Sequence, residues 1–257
     1  NVTERKTVVY PNPQVLAEAV AARTLLTIID LLAEPNRKRV DIAVTGGTDG
    51  NRVFAAMNAS PLNDAVDWSR VHVWWGDERF VAADDDDRNA KQAREAWYGA
   101  LVESGRMPAA NISGAEEIAA ASPEQTDAVL AEAAAEYQRE LIEQLGENPA
   151  LDIAMFGMGP DAHFASLFPD HGEAEIDDPH VLVAGVRDSP KPPPLRLTLT
   201  VPMIVRSKHT WVFTSEERKA GAVKAAFAQR NNPHAPSSYA DGEELLWLID
   251  EGAASKL

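Results

Sequence analysis

His163 is the residue with the clearest chemical potential in this sequence. It lies in Gly157-Met158-Gly159-Pro160-Asp161-Ala162-His163, a glycine-rich turn after the apolar run Leu151 to Phe156. An imidazole titrates near neutral pH, so one held beside a substrate can take up a proton and return it. The alternative is a histidine that only caps or hydrogen-bonds its own loop. The five other histidines show no metal-ligand spacing such as His-Glu-x-x-His.

Three further clusters could hold an anion. Gly46-Gly47-Thr48 follows an apolar run, and glycines there let successive amides face a phosphate while the next helix adds its positive end. A plain tight turn is the other reading. No Gly-Lys-Ser/Thr follows, so it is not a nucleoside-triphosphate loop. Asp77-Glu78-Arg79, with Arg88-Asn89 beyond, offers guanidinium forks suited to phosphate and carboxylates that could orient them. In Ser189-Pro190-Lys191-Pro192-Pro193-Pro194-Leu195-Arg196, prolines stiffen a loop that could aim Lys191 and Arg196 at an anion. A structural crossover with two surface bases would look the same.

Two other patterns lead nowhere. Asp84 to Asp87 lack the alternation and turn glycine of a calcium loop, and read as solvated. Gly157-x-Gly159-x-x-Ala162 matches a dinucleotide fingerprint, but Pro160 removes an amide from it and the motif falls in mid-chain.

The elements that must position these residues alternate along the chain. Helical spacing runs over Gln14 to Leu32, Asn51 to Met57, Asn89 to Val102, Pro123 to Leu145 and Glu216 to Gln229. Short apolar runs predict strands at Val40 to Thr45, Val71 to Trp75, Leu151 to Phe156, Val181 to Val186, Leu195 to Thr200, Thr210 to Thr214 and Leu245 to Ile249. This alternation predicts an α/β fold: an open, mainly parallel sheet with helices on both faces, as one domain over residues 1–257. In such sheets ligands bind outside the carboxyl ends of the strands, where the Gly46, Asp77 and Gly157 clusters sit.

Composition narrows the function. The 257 residues carry 24 Lys and Arg against 40 Asp and Glu, a formal charge of −16, and no clustered basic arm for nucleic acid. An anionic ligand would therefore need a local nest of cations and amides. The absence of cysteine excludes disulfides, thiol catalysis and cysteine metal sites. No apolar run approaches the roughly 20 residues that span a bilayer, and Asn1-Val2-Thr3-Glu4-Arg5 has no signal core. A processed, soluble, cytoplasmic protein is expected. Ser255-Lys256-Leu257 would be a peroxisomal address only in a eukaryote.

The clusters together resemble the 6-phosphogluconolactonases, relatives of the glucosamine-6-phosphate deaminases. Trp75-Gly76-Asp77-Glu78-Arg79-Phe80-Val81 with Arg88-Asn89, then the Gly157 to His163 turn, Ser166-Leu167-Phe168-Pro169 and Ser189 to Pro194 carry the resemblance. The chain departs from the family pattern at Thr48-Asp49-Gly50, Ala162 and Phe164. The resemblance implies hydrolysis of 6-phosphoglucono-δ-lactone in the oxidative pentose phosphate pathway, with no cofactor and no metal. It implies His163 as general base, Asp161 orienting its loop, and substrate contacts from Gly46, Gly47, Thr48, Asp77, Glu78, Arg79, Arg88, Asn89, Lys191 and Arg196. The expected partner is a small phosphorylated sugar lactone, with no nucleic acid or membrane, and the chain is expected as a monomer or weak homo-oligomer. Two alternatives stand beside this: an aldose–ketose deaminase moving a proton with Asp77 or Glu78, and a non-catalytic sugar-phosphate-binding regulator.

Overall fold

In the computed structural model, residues 2–114 and 127–257 are described. Six strands form one sheet in the order β1 (Arg5–Tyr10), β9 (Glu244–Asp250), β8 (His209–Thr214), β5 (Ile153–Gly157), β2 (Val40–Val44) and β3 (Val71–Trp75). Every adjacent pair is parallel. All five residues of β2 are buried. Successive strand side chains point to opposite faces, so both faces of the sheet are covered there.

The covering helices follow from apolar spacing and local caps. In α1 (Pro13–Leu32), Leu16, Val20, Leu25, Ile28 and Leu31 are buried at helical spacing, and the Asn12 side chain accepts from the Val15 amide at its start. Helix α2 (Gly47–Ala59) packs against α1 and against a π turn over Arg94–Tyr98 that joins α3 (Asn89–Ala93) to α4 (Gly99–Glu103). Helix α5 (Asp127–Leu145) packs on β6 (Val183–Val186) and β7 (Arg196–Leu199). The short α6 (Val201–Ile204) and α7 (Ala220–Ala228) complete the set described. No described helix is long and apolar enough to cross a membrane.

The two edges of the large sheet differ. Outside β3, Ser113 donates its amide to the Val73 carbonyl, the Asn111 side chain donates to the Val71 carbonyl, and the buried Tyr137 hydroxyl bridges the Trp75 amide and carbonyl. That edge is covered. Nothing pairs with the outer side of β1 among the described residues.

Three features depart from the sequence expectations. Residues 183–186 and 196–199 are strands, but they leave the parallel sheet and form a separate antiparallel one, β4-β7-β6, with β4 spanning Asp77–Arg79. Strand β1 had no apolar run to mark it, because it is an edge strand with Arg5, Lys6 and Thr7 in its first half. The helix expected from Glu216 begins later, because Glu216 has φ +82 and a short 3-10 turn intervenes before Ala220. Residues 123–126 of another expected helix lie outside the described residues.

Candidate active site

The strand order β8-β5-β2-β3 brings four carboxyl ends side by side. The segments leaving them line one cleft of about 240 Å³.

From β2 the chain turns through Gly46 into α2. Gly46 is extended and offers no side-chain cap, and Gly47 has φ +86, so the first-turn amides of α2 are left without an internal partner. A Cβ at Gly46 would lie 2.0 Å from Asn89 Oδ1, so only glycine lets α2 start this close to α3. Thr48 and Asp49 follow on the same wall.

From β3 the chain enters β4. Asp77 lines the cleft, and its Oδ2 accepts from the Ser166 hydroxyl at 2.6 Å. Arg79 lines it too and donates to the Asp87 carbonyl. Glu78 and Arg88, expected at the substrate, are elsewhere. Both are fully buried and pair at 3.1 Å, outside the cleft lining. Glu78 also accepts from the amides of Arg79, Asn89 and Ala90, while Arg88 donates to the Val81 carbonyl. Burial pushes the Glu78 carboxyl up, against the pull of Arg88 and those amides. The physical reason for the correction is local. Strand β4 alternates its side chains, so the residue between Asp77 and Arg79 points away from the cleft and caps α3 instead.

From β5 comes the histidine turn. Asp161 Oδ1 lies 2.5 Å from His163 Nδ1 and also accepts the His163 amide. Burial raises the Asp161 carboxyl, but the His163 side chain and amide, and the charge of Lys191, outweigh it and bring it to about 2. Ionised Asp161 can only accept, so Nδ1 keeps its proton and donates it in the hydrogen bond, leaving the Nε2 lone pair without a protein partner among the described residues. The imidazole lines the cleft and packs on Phe168, with ring centroids 4.8 Å apart.

The proline loop supplies Lys191 and Arg196, both in the cleft wall. Arg196 is 4% exposed and donates to the carbonyls of Lys191, Pro192 and Pro193, so it fastens the loop that carries Lys191. Strand pairing sets Arg196 opposite Arg79 in register.

The segment after β8 was missed by the sequence reading. Ser215, Arg218 and the buried Lys219 line the cleft, and Lys219 Nζ donates to the Met158 carbonyl at 2.8 Å and Thr214 Oγ1 at 3.2 Å. The signal that could have found them was present: Ser215 to Lys219 follow a strand's carboxyl end, as the other three clusters do. Gly46, Gly47, Thr48, Asp77, Arg79, Asn89, His163, Lys191 and Arg196 are gathered in one place. Among the described residues, no group of three or more His, Asp or Glu side chains is arranged to hold a metal ion.

Comparisons agree over nearly the whole length. The 6-phosphogluconolactonase of Streptomyces coelicolor is 39% identical over 256 residues, covering 97% of this chain and 94% of the relative. That of Mycobacterium tuberculosis is 37% identical over 253 residues, covering 97% of each. The solved structure of the Trypanosoma brucei 6-phosphogluconolactonase superposes with a TM-score of 0.83 at 25% identity over 99% of both chains. A monomeric glucosamine-6-phosphate deaminase shares the fold, with a TM-score of 0.70 at 17% identity over 98% of this chain and 100% of that one. The family model described as glucosamine-6-phosphate isomerases/6-phosphogluconolactonase matches residues 11–247, and the chain belongs to that family.

Proposed function

We propose that this chain hydrolyses 6-phosphoglucono-δ-lactone to 6-phosphogluconate, in the cytoplasmic oxidative pentose phosphate pathway. The observation that carries the reading is the Asp161–His163 couple, opening into a cleft that also holds uncapped helix amides and several cations. The names of the relatives support the same activity.

The phosphate is held by the amides at the start of α2 with Arg79 and Lys219. Neutral His163 takes a proton from water through Nε2 as the water oxygen bonds to the lactone carbonyl carbon. The carbonyl oxygen becomes an oxyanion, and Lys191, which lines the same cleft as His163, steadies it. The oxyanion collapses, the bond from carbon to ring oxygen breaks, and the imidazolium returns its proton to that oxygen. The product acid then ionises and releases a proton to solvent. Asp161 stays ionised throughout and holds the imidazole in the tautomer the reaction needs. No step is routed through a metal or cofactor.

The test is proton release on adding freshly made 6-phosphogluconolactone, with unphosphorylated gluconolactone as control. Fast release with the first and little with the second is expected. Equal rates would remove the phosphate site from the reading. Ammonia release from glucosamine 6-phosphate would replace the reading with the deaminase one. Binding of 6-phosphogluconate with no lactone turnover would replace it with a non-catalytic role.

A further inference from the structure

Asp49 places a carboxylate beside the lysine that the proposed function assigns to an anion. Its Oδ1 accepts from the Ser215 hydroxyl at 2.6 Å, and its Oδ2 lies 4.0 Å from Lys219 Nζ. Asp49 belongs to the first turn of α2, after β2, whereas Ser215 and Lys219 follow β8. Strand β5 lies between those two strands, and the same ammonium donates to the Met158 carbonyl just beyond β5. Asp49 and Lys219 therefore join the three segments that form this side of the cleft.

A carboxylate in an anion cleft opposes its ligand, so it needs a reason to be there. Lys219 is 6% exposed, and its two hydrogen-bond acceptors are both uncharged. An ammonium so enclosed tends to lose its proton. We propose that Asp49 is a positioning residue: it keeps Lys219 charged and in place while the cleft is empty, so that the ammonium is ready for the phosphate. This rests on the reading of Lys219 as a phosphate-holding group.

The charged groups facing this pair come from α2, the proline loop and the segment after β8, and Arg52 of α2 lies 3.5 Å from Asp49 Oδ1. Burial lowers its pKa most, Asp49 from α2 raises it, Arg218 lowers it, Glu216 raises it, and Lys191 from the proline loop lowers it. Asp49 is the largest favourable contribution. Removing its charge should make Lys219 deprotonate at lower pH. Removing the same charge also relieves repulsion of the ligand wherever Lys219 is still charged.

The test uses the whole chain and inorganic sulfate, whose charge does not change where lysine titrates. Sulfate affinity is measured by calorimetry against pH for the unaltered chain, D49N and S215A. D49N keeps an oxygen that can accept from Ser215 and loses the charge that faces both Lys219 and Arg52. It should bind sulfate at least as tightly near neutral pH, and its alkaline loss of binding should begin about one pH unit earlier. Carbon NMR of the lysine ε-methylene groups should show the same displacement for one lysine with no ligand present. S215A keeps the carboxylate and should keep the alkaline limb where it is. An unmoved limb in D49N, with or without lost stability, would mean that Asp49 serves only the helix terminus and would overturn the proposal. A uniform loss of affinity at every pH would overturn it as well, as would an equal displacement in S215A. Lactone turnover by the unaltered chain is measured separately. Its absence would remove the proposed function while the NMR result still decided the link between Asp49 and Lys219.

Discussion

Gly159 and His163 occupy one space: a Cβ at Gly159 would lie 2.2 Å from Cε1 and 2.3 Å from Nδ1 of the imidazole. It would also lie 2.9 Å from Asp161 Oδ1. The turn is closed by two bonds, from the Gly159 amide to the His163 carbonyl and from the Ala162 amide to the Gly159 carbonyl. The glycine is the floor on which the acid–base couple rests. G159A should therefore act like a partial loss of the base. Turnover should fall by about 100-fold, the order expected when a general base is misplaced. Initial rates with the phosphorylated lactone measure this. A G159A enzyme with full turnover would show that the ring can move aside and still react.

H163A removes the base outright. Its turnover number should fall by about 10²- to 10⁴-fold, with a smaller change in KM. A variant that kept nearly full turnover would remove His163 from the mechanism.

D161N probes the same couple through pH. A carboxyl held near 2 in the folded chain ordinarily titrates near 3.9 when the chain is unfolded. Its folded pKa is depressed, so the stability it contributes is complete above the unfolded value and fades as pH falls toward 2. The unaltered chain should lose stability more steeply than D161N between about pH 4 and pH 2. Urea midpoints across that range decide it, and parallel curves would show that the bond to His163 adds nothing to folding.

E78Q tests scaffold rather than chemistry. Removing the buried carboxylate from beside Arg88 breaks the pair, which costs about 3–5 kcal/mol. Urea unfolding should show that loss. The variant that still folds should keep most of its turnover, since neither Glu78 nor Arg88 lines the cleft. A large drop in kcat without a drop in stability would return Glu78 to the reaction.

E216G should stabilise. Glu216 has φ +82 and ψ +146, a conformation that only glycine adopts freely, and its amide is held there by Asp250 Oδ1 at 3.0 Å. Glycine relieves the strain and should raise stability by about 1 kcal/mol. A lower urea midpoint would show that the Glu216 side chain, paired with Arg218, matters more than its backbone.

Much of this was legible in the residues. The parallel strands β2, β3, β5 and β8 announce themselves as short apolar runs, because a strand buried on both faces admits little else. The glycine turns mark their ends, and the ends mark the cleft. Arg88 shows the limit: type and spacing say that an arginine suits phosphate, while the alternation of β4 decides that Glu78 takes it inward. Lys219 shows the opposite failure. Glu216-Glu217-Arg218-Lys219 has the composition of a solvated helix start; its place after a strand end was the one sequence signal, and the strand order is what brings that lysine beside Met158. The second sheet was hidden for a similar reason, since β6 and β7 read as strands but not as members of another layer.

The outer side of β1, unpaired among the described residues, has a practical consequence for how the chain is handled. Its backbone groups alternate between β9 and solvent, so every second amide and carbonyl offers a hydrogen bond to any extended peptide that arrives. Shortening the amino terminus past Tyr10 would pass that exposure inward to β9, whose residues 245–250 are buried, and would turn a polar rim into an adhesive apolar one.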